Sequence, residues 1–140
     1  MNRVTPPISA EGAETLRFAI VEQAVEYYFS LLAGFILPKA DCNETELEKF
    51  FHSQWFKTLC DLNPDYIINA IRERAKKMVL KYTICKEKGS SRYFVHAVDD
   101  KTPIPGTYGN KKQALHKAAD LNGIDYKDYM RVRRRDGVKE

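Results

Sequence analysis

The chain has few of the residues that metal and catalytic centres need, and none in a working pattern. Its three cysteines, Cys42, Cys60 and Cys85, are an odd number spaced 18 and 25 positions apart, with no C-x-x-C pair. The histidines, His52, His96 and His116, are scattered as well. Structural zinc takes paired ligands at short spacing and an oxidised scaffold takes paired cysteines, so neither is expected. Reduced thiols in a cytoplasmic setting are the plain reading. There is no G-x-S-x-G elbow, and Gly106-Thr107-Tyr108-Gly109 lacks the lysine and the length of a phosphate loop. His52 stands beside Ser53 without a placed acid. Cys60 follows His52 by eight residues, about 12 Å along a helix axis, too far for a thiolate–imidazole pair. Glu46 and Glu48, two apart on a helix, face different ways. No enzyme activity, no catalytic residue and no cofactor is therefore expected.

Long apolar runs are also missing. The most apolar stretch, Phe18 to Leu37, carries Glu22, Gln23 and Glu26, which argues against a membrane span. The opening MNRVTPPISAEGAE has no basic-then-apolar layout, so no signal peptide is expected. No internal repeat or low-complexity tract occurs.

What is present is globular composition: 140 residues, 44% hydrophobic and 30% charged, enough for one domain or two small modules. The net charge of +4 hides an asymmetry. Residues 1–69 hold five Lys/Arg and ten Asp/Glu, whereas residues 70–140 hold eighteen and nine. Net −5 in one half and +9 in the other points to a polyanionic partner for the basic half.

The aromatic stretch Glu46 to Ile71 organises the first half. Leu47, Phe50, Phe51, Trp55, Leu59 and Leu62 recur at helical intervals. Thr45 with Glu48 has capping-box spacing, which predicts the helix start there. A bend or break is expected near Ser53, and Asn63-Pro64 reads as the cap and first-turn proline of a further helix. Upstream, Thr5-Pro6-Pro7 reads as an extended lead-in and Ser9 as an N-cap. Leu16, Ile20, Ala24, Tyr28 and Leu31 then give one face of a long helix ending near Ala33, with Gly34 and Pro38 closing it. In the helix from Pro64, Ile67, Ile71, Ala75 and Met78 share a face, with Arg72, Arg74, Lys76 and Lys77 outside. Trp55 is expected in the core. The adjacent pairs Phe50/Phe51 and Trp55/Phe56 indicate a wide buried face, or one aromatic left exposed as a partner anchor.

After Val79 the period changes to two. Lys81 to Lys86 and Arg92 to Val98 read as strands around a Lys88-Gly89-Ser90-Ser91 turn, and Asp99 to Pro103 as a second turn. Ile104 to Tyr108 reads as an edge strand, because of Pro105. Asn110 caps a helix ended by Asn122-Gly123. Met130 and Val132 alternate with Arg131 and Arg133, which predicts a last short strand. Arg131, Arg133, Arg134 and Arg135, with Lys127 and Lys139 nearby, form the densest positive charge. Lys111 and Lys112 add to it at the helix start. Arginine forks bind phosphate oxygens two at a time, and the interleaved Tyr93, Tyr108, Tyr126 and Tyr129 could stack on bases. A solvated basic tail is the bland alternative.

Two resemblances follow from quoted residues. Ala19 to Tyr28 (AIVEQAVEYY), Glu48 to Phe56 (EKFFHSQWF) and Asp65 to Ile68 (DYII) resemble small uncharacterised proteins of phages and integrated elements of Firmicutes. Those share an E-x-F-F-x-S-x-W-F core, which implies a mobile-element setting and no mechanism. Arg92 to Val98 (RYFVHAV), Gly106-Thr107-Tyr108 and Ala114 to Asn122 are similar to ethylene-response-factor and integrase amino-terminal DNA-binding modules. That resemblance implies a three-stranded sheet braced by one helix, with Tyr82 to Cys85 standing where basic readers would be.

The reading is therefore an α+β chain: an acidic three-helix bundle over 1–80, then a basic β-β-β-α module over 81–140. The expected role is a non-enzymatic phage or mobile-element accessory protein in the host cytoplasm, engaging nucleic acid or a nucleoprotein complex. Its site residues would be Arg131, Arg133, Arg134, Arg135, Lys127, Lys111 and Lys112. The alternative is an inhibitor of a host defence nuclease, of anti-CRISPR or anti-restriction type, acting through Glu22, Glu26, Glu44 and Glu46. A phage structural or assembly adaptor is a third possibility.

Overall fold

A computed structural model of the chain describes residues 10–138. The lead-in at Thr5-Pro6-Pro7, the cap at Ser9 and Lys139 lie outside the described residues. The fold is α+β, with helices preceding a three-stranded antiparallel sheet of order β1-β2-β3. The chain divides into two compact units, Met1–Glu73 and Arg74–Glu140.

The first unit holds α1 (Ala10–Leu32), α2 (Glu44–Phe51), α3 (Gln54–Leu59) and most of α4 (Pro64–Lys76). Helix α1 ends where Gly34 turns left-handed, at φ 76°, and the Phe35 amide donates back to the Ser30 carbonyl. Helix α2 starts before the expected Thr45. Asn43 is the cap, its Oδ1 accepting from the Glu46 amide at 3.0 Å, so Thr45 lies inside the first turn. Asparagine is at least as good a cap as threonine, and it comes first in the chain. Ser53 makes the expected break in two ways. Its hydroxyl donates to the Phe50 carbonyl at 2.7 Å and accepts from the Phe56 amide at 3.1 Å. Asn63 Oδ1 accepts from the Asp65 amide at 2.8 Å, and α4 begins on Pro64.

Tyr28, Phe29, Leu47, Phe51, Phe56, Ile67, Ile68 and Ile71 are buried here. Phe50, Phe51 and Phe56 meet edge to face at 5.4 to 5.7 Å. Trp55 is not in this core, contrary to expectation. It is 57% exposed, and its ring meets that of Phe50 edge to face at 5.5 Å. Restarting the helix at Ser53 turns Phe56 inward, and its neighbour, about 100° away on the new helix, is carried outward. The Tyr28 phenol donates to Glu48 Oε1 at 2.8 Å, and Arg72 donates to the same oxygen, tying α1, α2 and α4.

The second unit contains β1 (Tyr82–Lys86), β2 (Tyr93–Ala97), β3 (Asp100–Pro103), α5 (Lys111–Asn122) and α6 (Tyr126–Arg135). Ile84 pairs with Val95, and both are buried with Ala114, Leu115, Ala118 and Ala119 of α5. The third strand runs through Asp100–Pro103 and not Ile104–Tyr108. Proline supplies no amide, so Pro103 and Pro105 interrupt the ladder that the later segment would need. That segment still follows β2: Ile104 donates to the Val95 carbonyl, and Tyr93 and Tyr108 exchange both backbone bonds. Helix α5 starts on Asn110, whose Oδ1 accepts from the Gln113 amide at 2.8 Å, and ends at left-handed Gly123.

The last strand is absent from the described residues, because Tyr126–Arg135 is helix α6. Asp125 Oδ1 accepts from the Asp128 amide at 2.7 Å, a cap that starts a helix immediately after Gly123. Asp128, Tyr129, Val132 and Arg133 are buried, a spacing that a helix satisfies and an alternating strand does not. Four residues of alternation were too few to distinguish the two.

Candidate nucleic-acid interface

Asn122, which the sequence marks only as a helix end, fixes the geometry of the basic unit. Its Oδ1 accepts from the Lys81 amide at 2.7 Å and the Tyr82 amide at 3.2 Å. Its Nδ2 donates to the carbonyls of Tyr82 at 3.1 Å and Ala118 at 2.6 Å. The Tyr129 phenol donates to the same Tyr82 carbonyl at 2.9 Å. A buried amide is favourable only when its donors and acceptors are matched, and here all are. The end of α5 and the middle of α6 are thereby pinned to β1.

This anchoring separates the four arginines. Arg133 is 5% exposed, donates to Thr83 Oγ1 at 2.7 Å, and lies 5.8 Å from the Tyr129 ring centre. Arg131 is half-buried and faces Asp128 at 3.5 Å, a carboxylate that Arg74 also binds at 3.1 Å. Arg135 Nε donates to Asp136 Oδ1 at 2.9 Å. Arg134 and Lys127 are exposed. The expected pairing of Arg131 with Arg133 on one strand face does not form, since two positions on a helix are roughly 200° apart. Lys127, Arg131 and Arg134 instead step by four and three along the arc opposite Tyr129 and Val132, spanning about 10 Å.

Helix α5 contributes Lys111 and Lys112 in its first turn and Lys117 further on, all exposed. Lys117 stands apart from the basic clusters in the sequence, but its position two past buried Leu115 and one before buried Ala118 marks the outer face. Of the four interleaved tyrosines, Tyr129 is buried and Tyr93 and Tyr108 are half-buried against the core. Tyr126 differs, because its ring stacks on that of exposed His116 at 3.8 Å and 16°. On the sheet, register puts Thr83 and Cys85 with Phe94 and His96, on the side away from α5. Arg92 is engaged by the Thr107 hydroxyl at 2.8 Å and the Thr107 carbonyl at 3.2 Å.

The alternative acidic residues are all exposed. Glu22 and Glu26 lie one turn apart on α1, Glu44 opens α2, and Glu46 bridges Lys49 at 3.4 Å. Glu46 also lines a cavity of about 420 Å³ with Ile20, Tyr27, Cys42 and Phe50, which Glu22 and Glu26 do not reach. A hydrogen bond with Cys42, and then burial, raises the Tyr27 phenol above its ordinary range. His52 meets Asp65 at 3.4 Å as an exposed pair. Among the described residues, no group of three or more His, Cys, Asp and Glu could hold a metal, and no helix is long and apolar enough to cross a membrane. No family model matches the chain, and comparisons with curated proteins and with solved structures return no match.

Proposed function

We propose that the chain is a non-enzymatic accessory protein of a phage or mobile element that engages nucleic acid, alone or in a nucleoprotein complex, through the unit Arg74–Glu140. The observation that carries this is the distribution of charge. That unit has seventeen Lys/Arg against eight Asp/Glu, net +9, with Lys127 and Arg134 on the outer arc of α6 and Lys112 and Lys117 exposed on α5. Cations arrayed on rigid helices neutralise phosphates and release their counterions, which supplies sequence-independent affinity. The mobile-element setting rests on the resemblance of residues 19–71.

Fluorescence anisotropy on labelled single strand and duplex at low salt tests this reading. The double variant Lys127→Gln/Arg134→Gln is expected to bind more weakly across all sequences while keeping its fold. No binding by the unaltered protein at low salt contradicts it.

A second reading is supported by the first unit, with six Lys/Arg against eleven Asp/Glu, net −5, and exposed Glu22, Glu26, Glu44 and Glu46. Such a surface could occupy the basic channel of a host defence nuclease. Changing these four glutamates to glutamine would then abolish inhibition, whereas Lys127→Gln/Arg134→Gln would not.

A further inference from the structure

The His116–Tyr126 pair is unlike every other ring pair among the described residues. The others meet at 48° to 83°, the edge-on or tilted geometry favoured in packed interiors. This pair is nearly parallel, at 16° and 3.8 Å. Tyr126 is the inner member, half-buried and packed against the core of the basic unit; His116 is the outer member and exposed. The result is a flat platform whose lower ring is held by the core and whose upper ring meets solvent.

Charge is arranged around it. Lys112 lies one helical turn before His116 on α5, and Lys127 directly follows Tyr126 on α6. Both are exposed. Two exposed carboxylates adjoin the pair as well, Asp120 one turn beyond His116 and Asp125 directly before Tyr126, and they would turn a phosphate backbone toward the two lysines. A flat exposed ring with a lysine near it on each helix matches the chemistry of an unpaired nucleotide, with a base to stack and phosphates to neutralise. A duplex offers no such match, because its base faces are already occupied by their neighbours in the stack.

Resting on the nucleic-acid reading above, we infer that the α5–α6 face binds single-stranded nucleic acid, one base stacking on the outer face of His116 while Lys112 and Lys127 hold the flanking phosphates. The platform is preformed, so binding requires no rearrangement of either helix.

The test uses the full chain and a short oligodeoxyadenylate carrying one fluorescent aminopurine, with the matching duplex alongside. The unaltered protein should bind the single strand more tightly than the duplex and quench the aminopurine. His116→Ala should weaken single-strand binding at least about fivefold, the lower bound for losing one stacked base. It should leave duplex binding and thermal stability unchanged. His116→Phe should restore both affinity and quenching, and Lys112→Glu/Lys127→Glu should weaken the single strand without touching the ring pair. An aminopurine left bright in the complex, a preference for duplex, or His116→Ala binding the single strand like the parent would overturn the inference while leaving nucleic-acid binding intact. Binding of neither strand would remove the underlying reading, and this inference with it.

Discussion

About 100° of helical turn separates Arg133, held against Thr83 and the Tyr129 ring, from Arg134 in solvent. Arg133→Ala should therefore lower stability by about 2 kcal/mol, the scale of a hydrogen bond from a charged group, whereas Arg134→Ala should stay within about 0.5 kcal/mol. Urea denaturation of the two variants measures both. Trp55 follows the same logic. Because it is 57% exposed, Trp55→Ala should cost about 1 kcal/mol, against roughly 3–5 kcal/mol for Phe51→Ala or Phe56→Ala, which empty the buried cluster. Tyr28 gives a pH signature. Burial first, and then its bond to Glu48, push the phenol from 10.0 up to about 12. A folded value above the unfolded one means that the stabilisation is complete below pH 10 and is lost as pH rises toward 12. Alkaline unfolding in that window should be reduced in Tyr28→Phe, read from circular dichroism against pH. The sequence identified these residue types correctly but could not assign inside and outside. That assignment depends on where each helix starts, because one residue of phase turns every side chain by about 100°.

At the scale of elements, breaks and caps were the most legible features, because each is a local side-chain-to-backbone bond. Ser53, Asn63-Pro64, Asn110 and Gly123 do what their chemistry implies. Asn43 displaced Thr45 because two good caps stood close together and the earlier one took the helix. Met130 to Arg133 alternates as a strand would, yet Asp125 caps the helix that runs through it, and the cap decides. Asp125→Ala should cost about 1 kcal/mol, seen as a lower melting temperature and reduced helicity. Asn122 was legible only as a helix end, since its partners Lys81 and Tyr82 lie some forty positions away. Asn122→Ala leaves those backbone groups unmatched, so it should destabilise by about 1–3 kcal/mol. Hydrogen exchange should show the Lys81 and Tyr82 amides opening faster in that variant than Ile84 does. Equal protection of all three would remove Asn122 from this role.

For the whole molecule, the division of charge was readable by counting, and it falls on the two units as net −5 and net +9. Less of the candidate site was readable. Lys127 and Arg134 stood out only as members of a basic cluster, because a strand reading pairs Arg131 with Arg133, whereas the helix buries Arg133 and aligns Arg134 with Lys127. The His116–Tyr126 platform joins two helices across Gly123, and no local pattern announces it. The most direct measurement for the central claim is the salt dependence of binding, log Kd against log salt, for the unaltered protein and for Lys127→Gln/Arg134→Gln. If the basic unit binds phosphates through these side chains, affinity falls steeply with salt, and the double variant is weaker with a slope flatter by up to about two units. A slope near zero, or one that the double variant leaves unchanged, would contradict the account.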